Sequence, residues 1–242
     1  MTTSPCRITV GGLSVEVVRK DIKNLHLGVY PPDGRVRIAA PAAMGDEAIR
    51  LAVVEKLAWI KRQRDGFAQQ PRQSRREMVS GESHYVLGRR YRLRVHEEDG
   101  PPRVALHGIR FLDLFVRPQS SPERRQAVLD GWYREQLKDI VAPMVQRWER
   151  ILGVQVSAWA VKKMKTKWGT CTADARRIWL NLELAKQPLR GIEYVVAHEL
   201  AHLRVPRHDA EFIRLLDTHL PDWRQRQVEL QRSVLGAQAW RL

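Results

Sequence analysis

The stretch Glu193-Tyr194-Val195-Val196-Ala197-His198-Glu199-Leu200-Ala201-His202-Leu203-Arg204-Val205-Pro206-Arg207-His208 decides the reading of the carboxyl-terminal half. Apolar residues at Ile192, Val195, Val196, Leu200 and Leu203 give it helical periodicity with buried faces. On such a helix His198 and His202, four residues apart, project from one face about one turn from each other, so both imidazoles reach a single metal ion. Glu199, next to the first of them, can address a metal-activated water: take its proton as general base and return it to a leaving amine as general acid. Zinc lowers the pKa of such a water to about 7.

A bare H-E-x-x-H also arises by chance, with the histidine in a core and the glutamate on a surface. The third candidate ligand, His208, separates the two cases. It follows Pro206, where the helix must end or turn, and a turn there folds it back towards the same ion. The ligand set is therefore His198, His202 and His208, with Glu199 catalytic. The spacing equals that of H-E-x-x-H-x-x-G-x-x-H sites, but Val205 stands where those carry glycine. A third ligand from a downstream acid would have to be Glu211, Asp217, Asp222 or Glu229, and none is better placed in sequence than His208. The donor set suits one zinc ion per chain, although two helical histidines accept several first-row metals.

Outward from this segment the chain changes texture near residue 120. Residues 1–120 read as β-rich: Arg7–Val10, Leu13–Val18, Leu25–Tyr30 and Arg35–Ala40, then Tyr85–Leu87, Tyr91–Glu97, Val104–Leu106 and Phe111–Val116. The spacing of Ile49, Val53, Leu57 and Ile60 predicts one helix over about 46–64, followed by an exposed linker at Gln69–Glu77. Residues 121–242 read as α+β. Ser121-Pro122 opens a long helix carrying Val128, Trp132, Leu137, Ile140 and Val145, with Pro143 as a kink candidate. Two strands, Val154–Val161 and Arg176–Leu184, flank a Lys-rich loop, and helices follow at about 189–204, 209–218 and 222–235. No internal repeat is visible.

Composition narrows the class. The 242 residues include 42 Lys+Arg against 27 Asp+Glu, a net charge of +15. With 43% hydrophobic residues the chain is globular rather than collagenous or disordered. No apolar run approaches the roughly 20 residues of a membrane helix, and the start, MTTSPCRITVGG, has no signal-peptide layout. The two cysteines, Cys6 and Cys171, cannot form a disulfide framework. A cytoplasmic protein with reduced thiols and no membrane partner is expected. The basic excess admits a nucleic-acid partner but is spread evenly: 21 basic and 13 acidic residues in 1–120, 21 and 14 in 121–242.

Three segments together resemble the YgjP-type small zinc metallopeptidases, a minimal gluzincin-like group akin to SprT-type proteases. They are Met164-Lys165-Thr166-Lys167-Trp168-Gly169-Thr170-Cys171, Ile178-Trp179-Leu180-Asn181-Leu182, and Glu193–Leu203 with His208 and Phe212. Val18–Leu25 and Gly81-Glu82 extend the resemblance over nearly the whole chain; Thr170 replaces the usual serine of W-G-S-C. The resemblance implies an α+β fold, with an amino-terminal β-rich module (1–120) and a zincin-like catalytic domain (121–242). It also implies zinc on His198, His202 and His208, Glu199 as general base, and protein or peptide substrates. An upstream strand should pair with extended substrate, and Arg176–Leu184 is the candidate; beside this stands the reading of it as an interior strand with no free edge.

Other residues are weighed beside these. Cys171 is a fourth zinc ligand, a redox-sensitive thiol or a small buried residue. Lys162, Lys163, Lys165 and Lys167 meet phosphate, steady an oxyanion (Lys165 or Lys167) or simply face solvent. His219 is a candidate for transition-state charge or a surface histidine. Trp159, Trp168 and Trp179 read as core, and His26, His84, His96 and His107 receive no role. The favoured expectation is hydrolysis of peptide bonds by zinc. Beside it stand a nucleic-acid-associated protein with a structural or latent zinc site, and a protease recruited to DNA-bound proteins.

Overall fold

A computed structural model describes residues 6–30, 34–69, 77–164 and 167–232. The chain forms two units that divide at Pro71/Arg72. In the first, β1 (Cys6–Val10), β2 (Leu13–Lys20), β3 (His26–Tyr30) and β4 (Arg35–Pro41) make a sheet of order β1-β2-β4-β3, with β2 and β4 parallel and the other pairs antiparallel. Alternation along the strands sends Val15, Val17, Val36 and Ile38 to one face, where Ile49, Val53 and Ile60 meet them. The helix expected over 46–64 is two helices, α1 (Asp46–Glu55) and α2 (Leu57–Gln69). Lys56 leaves helical geometry at φ −96°, ψ 4° and its N–H bonds Val53 O. The apolar spacing runs through the break because both helices pack on the same sheet face. The Gln69–Glu77 linker and the turn at residues 31–33 lie largely outside the described residues.

The second unit carries β5 (Ser83–Val86), β6 (Arg89–Glu97), β7 (Arg103–His107) and β8 (Phe111–Val116) in the order β5-β6-β8-β7, again with only the second and fourth strands parallel. The two sheets thus share one strand order and pairing sense, a repeat that the amino-acid sequence hides. Helix α3 (Pro122–Leu152) begins where Ser121 Oγ accepts the Arg124 N–H and ends at Gly153 in the left-handed region, φ 63°. Pro143 sits inside it without ending it. A three-stranded sheet follows: β9 (Ala158–Lys162), β10 (Gly169–Thr172) and β11 (Arg177–Asn181), in the order β10-β11-β9. A 3-10 turn (Leu182–Lys186) leads into α4 (Leu189–Ala201), α5 (Ala210–His219) and α6 (Trp223–Arg232).

The contact boundary at 71/72 differs from the change of texture at residue 120, and the reason is physical. Residue 120 marks a switch from strand to helix inside one core: Leu93, Leu112 and Leu114 pack in the same buried cluster as Leu129, Tyr133 and the α4 residues. Tyr133 donates its hydroxyl to Tyr85 O at 2.7 Å, and the β5–β6 turn bonds the 3-10 segment through Leu87 N to Ala185 O and Gly88 N to Lys186 O, both 3.0 Å. At Gly88 the backbone has φ +81°, and a Cβ would stand 2.7 Å from Pro188 Cγ, one residue before α4. Gly88→Ala is therefore expected to cost about 1–3 kcal/mol. A chemical-denaturation curve reads this as a lower midpoint at unchanged slope.

Candidate metal centre

Helix α4 is buried nearly all round: Gly191, Ile192 and Tyr194 through Ala201 lie in the interior. It packs on α3, α6, α5 and β10. Its outward charged residue is fixed on both sides, since Glu193 accepts from Arg147 (3.1 Å) on α3 and Arg226 (2.6 Å) on α6. His198 and Glu199 are each only 3% exposed.

The helix stops at Ala201, with His202 as its C-cap. A turn through Leu203 and Arg204 buries Val205, whose N–H still bonds Ala201 O at 2.9 Å. Asp209 then starts α5 by accepting the Glu211 and Phe212 N–H groups, which returns the chain over the end of α4. This brings His208 Nε2 to 2.9 Å from His198 Nε2, with His202 Nε2 3.2 Å from the same atom. Phe212 packs against all three rings at centroid distances of 4.8–5.0 Å. Among the described residues this is the single cluster of His, Cys, Asp or Glu able to hold a metal ion.

The donor set fits a cation. His202 Nδ1 donates to Val205 O at 3.3 Å, which fixes the tautomer and leaves its Nε2 a bare lone pair. Burial, and then the neighbouring imidazoles, push His198 down to about 3, so it stays in the neutral form that ligates. His202 shifts downward for the same reasons. Three imidazole nitrogens facing one point need a proton or an ion between them.

The Glu199 side chain lies against β10. A Cβ on Gly169 would come within 2.5 Å of Glu199 Oε1, so the carboxylate lies against a strand that has no side chain at that point. Burial raises its carboxyl from 4.5 to about 8, against a smaller downward pull from Lys167. Strand β10 itself escapes sequence reasoning: Gly-Thr-Cys-Thr has no apolar alternation. The strand proposed for substrate pairing is corrected here. Arg177–Asn181 is the central strand, hydrogen-bonded to β10 on one side and β9 on the other, so it has no free edge. The outer strand next to α4 is β10.

Asn181 is fully buried at the end of β11, and nothing in the sequence marks its role. Its Nδ2 donates to Met164 O (3.0 Å) and Lys167 O (2.7 Å), and its Oδ1 accepts from Met164 N (3.3 Å) and Glu183 N (3.1 Å). It ties Met164 and Lys167 to the end of β11. In the Lys-rich loop Lys163 pairs with Asp130 at 2.9 Å and Lys162 stands over Trp179. Lys167 is exposed and acts on Glu199 through its charge, while Lys165 lies outside the described residues. Trp168 is in the core, and Trp159 packs against it.

Cys171 on β10 is half-buried, outside the three-histidine cluster, and its thiol is pushed up to about 11 by burial and by the Glu199 charge. It is protonated at neutral pH. Three of the four downstream acids are engaged elsewhere: Asp217 with Arg224, Asp222 with Arg190 and Arg226, and Glu229 with Arg190. Glu211 is exposed in the first turn of α5. His219 ends α5, half-buried, with no bond to the cluster among the described residues.

Two outcomes follow. Gly169→Ala should displace the Glu199 carboxylate and lower kcat/KM for any hydrolysis at this site by at least about tenfold, with metal content, measured by mass spectrometry, unchanged. The raised Glu199 carboxyl gives the second. Between 4.5 and about 8 the folded, metal-free protein keeps a proton here that the unfolded chain has released, so this residue's contribution to stability falls as pH rises. Glu199→Gln should therefore leave the melting temperature in chelator little changed near about pH 5 and raise it near about pH 8. An equal shift at both values would contradict the burial.

Against known proteins, residues 23–233 match the family described as YgjP-like, metallopeptidase domain. No curated protein matches the chain. Among solved structures, the crystal structure of the metallopeptidase zymogen of Pyrococcus abyssi abylysin is 20% identical and covers 38% of this chain and 91% of that chain. Its TM-score of 0.36 is too low to carry an argument. The family match spans most of the sequence, including both histidine-bearing helices and the β10 strand beneath Glu199, and on that ground the chain belongs to the YgjP-like metallopeptidase family.

Proposed function

We propose that the chain is a zinc-dependent peptidase, with the ion held by His198, His202 and His208 and with Glu199 as general base and acid. The observation that carries this reading is the convergence of three Nε2 atoms, two of them within 3.2 Å of the third, beside a buried carboxyl. Three protein donors leave a coordination position for water or substrate, as catalytic zinc sites do; a structural site closes with a fourth. Cys171 is not part of the cluster.

A bound zinc ion supplies Lewis acidity, polarising the scissile carbonyl and acidifying water. The rest falls to the chain. An extended peptide adds to the outer edge of β10, where main-chain hydrogen bonds orient it with little demand on side chains. Gly169 leaves room for the Glu199 carboxylate at that edge. Glu199 takes a proton from the attacking water and delivers it to the departing amine nitrogen. Lys167 nearby stabilises its ionised form, the form that takes the proton. Asn181 holds the Met164–Lys167 loop that carries this lysine.

The test pairs metal analysis with cleavage of an unfolded protein such as reduced casein. Wild type should hold about one zinc and cleave. His208→Ala should lose the metal, and Glu199→Gln should keep it while kcat falls by about 10²–10⁴-fold. Zinc retained in His208→Ala would remove that ligand, and undiminished cleavage by Glu199→Gln would remove the proposed base.

A further inference from the structure

The outer face of the β5–β8 sheet bears a basic and aromatic surface that the peptidase reading does not use. Registers across the four strands place its residues in rows. Ser83, Arg92, Phe111 and His107 lie side by side, as do Arg94, Asp113 and Ala105, and then His96, Phe115 and Arg103. The opposite face, with Leu93, Leu112 and Leu114, packs in the core beneath α3.

Two arginines lie flat on the two phenylalanines: Arg94 over Phe111 at 4.3 Å and Arg103 over Phe115 at 3.8 Å. His96 stacks on Phe115 at 4.7 Å. Asp113 grips Arg94 through two bonds of 2.6 and 2.7 Å and His96 at 2.9 Å, and Glu98 pairs with Arg103. These partners hold two guanidiniums and an imidazole ring against the sheet. Beside them Arg90, Arg92, Arg110 and Phe111, with Gly81 and Ser83, line a concavity of about 470 Å³. Among the described residues no carboxylate pairs with Arg90, Arg92 or Arg110. A chain of net charge +15 has thus left three guanidiniums uncompensated in one hollow next to an aromatic row.

We propose that this sheet face binds single-stranded nucleic acid. Phosphates would meet Arg90, Arg92 and Arg110, and bases would stack on the arginine–phenylalanine and histidine–phenylalanine planes. Planar rings and guanidiniums on an open sheet offer each base a stacking partner whatever its sequence. A duplex hides those base faces and is read by an element that enters a groove, which a sheet face does not provide. An acidic polypeptide would satisfy the charges but leave the aromatic row unused. The surface is built from residues 81–115, apart from the histidine cluster, so the proposal stands or falls independently of the peptidase reading.

The experiment is fluorescence anisotropy of a labelled 20-nucleotide oligothymidylate and the corresponding oligouridylate against the full chain, over a series of salt concentrations. Wild type should bind either strand more tightly than a duplex of equal length, with affinity falling as salt rises. Arg92→Glu with Arg110→Glu should weaken binding at least tenfold and flatten the salt slope, while Arg214→Glu, an exposed change on α5, should alter affinity about twofold or less. Phe115→Leu should weaken binding without changing the salt slope, the signature of lost stacking. Cleavage of casein and the melting temperature should be unchanged in the double variant. Absence of binding at low salt overturns the proposal. So does binding that the double variant retains, a preference for duplex, or displacement of the oligonucleotide by polyglutamate at equal charge concentration.

Discussion

Taking a carboxyl and an imidazole out of water and into a helix that is buried on nearly every side is costly, and the carboxyl-terminal unit is arranged around meeting that cost. His198 and Glu199 sit on α4 at 3% exposure. Neither could remain there without compensation, because an unpaired buried charge is disfavoured by several kcal/mol. The answer for His198 is neutrality and two further imidazoles. The answer for Glu199 is a raised pKa and the field of Lys167. The price of this arrangement is rigidity: α3, α5, α6 and β10 must all hold their places for the helix to stay dry.

The close approach of Glu199 to Gly169 ties the chemistry to the small sheet. Strand β10 is short, carries no large side chain facing the carboxylate, and keeps an outer edge. Its position depends on β11, and the end of β11 depends on Asn181, whose side chain makes four bonds to the loop and the 3-10 turn. A loop rich in lysines would otherwise repel itself into solvent. Here one buried amide holds Met164 and Lys167 on either side of it, and Asp130 holds Lys163.

How much of this could be read from the sequence depends on the range of each signal. His198, Glu199 and His202 are local: four residues of helical spacing suffice. His208 was readable because Pro206 forces a turn just before it, and the Asp209 cap completes that turn. Strand β10 was not readable, since four residues without apolar alternation carry no period. The central place of Arg177–Asn181 was hidden for another reason: which strand lies in the middle is decided by partners ten or twenty residues away. Likewise the change at residue 120 is real in local composition, yet Leu114 and Leu129 on either side of it share one core. The break at Lys56 was masked by an apolar spacing that continues through it.

The two four-stranded sheets have the same order and pairing sense, and that likeness has a consequence during folding. A nascent chain that contains one topology twice offers each strand a second, wrong partner, the condition under which repeated domains exchange strands. What separates the copies is written on their inner strands. In β4, Arg35, Arg37 and the apolar residues between them alternate strictly, so a slip by one position would put arginine inside. In β8, Phe111–Val116 is nearly continuous in apolar character and breaks at Asp113, which Arg94, His96 and His107 of its own copy are placed to meet. An exchanged or slipped strand that brought no cation to this position would leave a buried aspartate unpaired, and that cost opposes the wrong pairing.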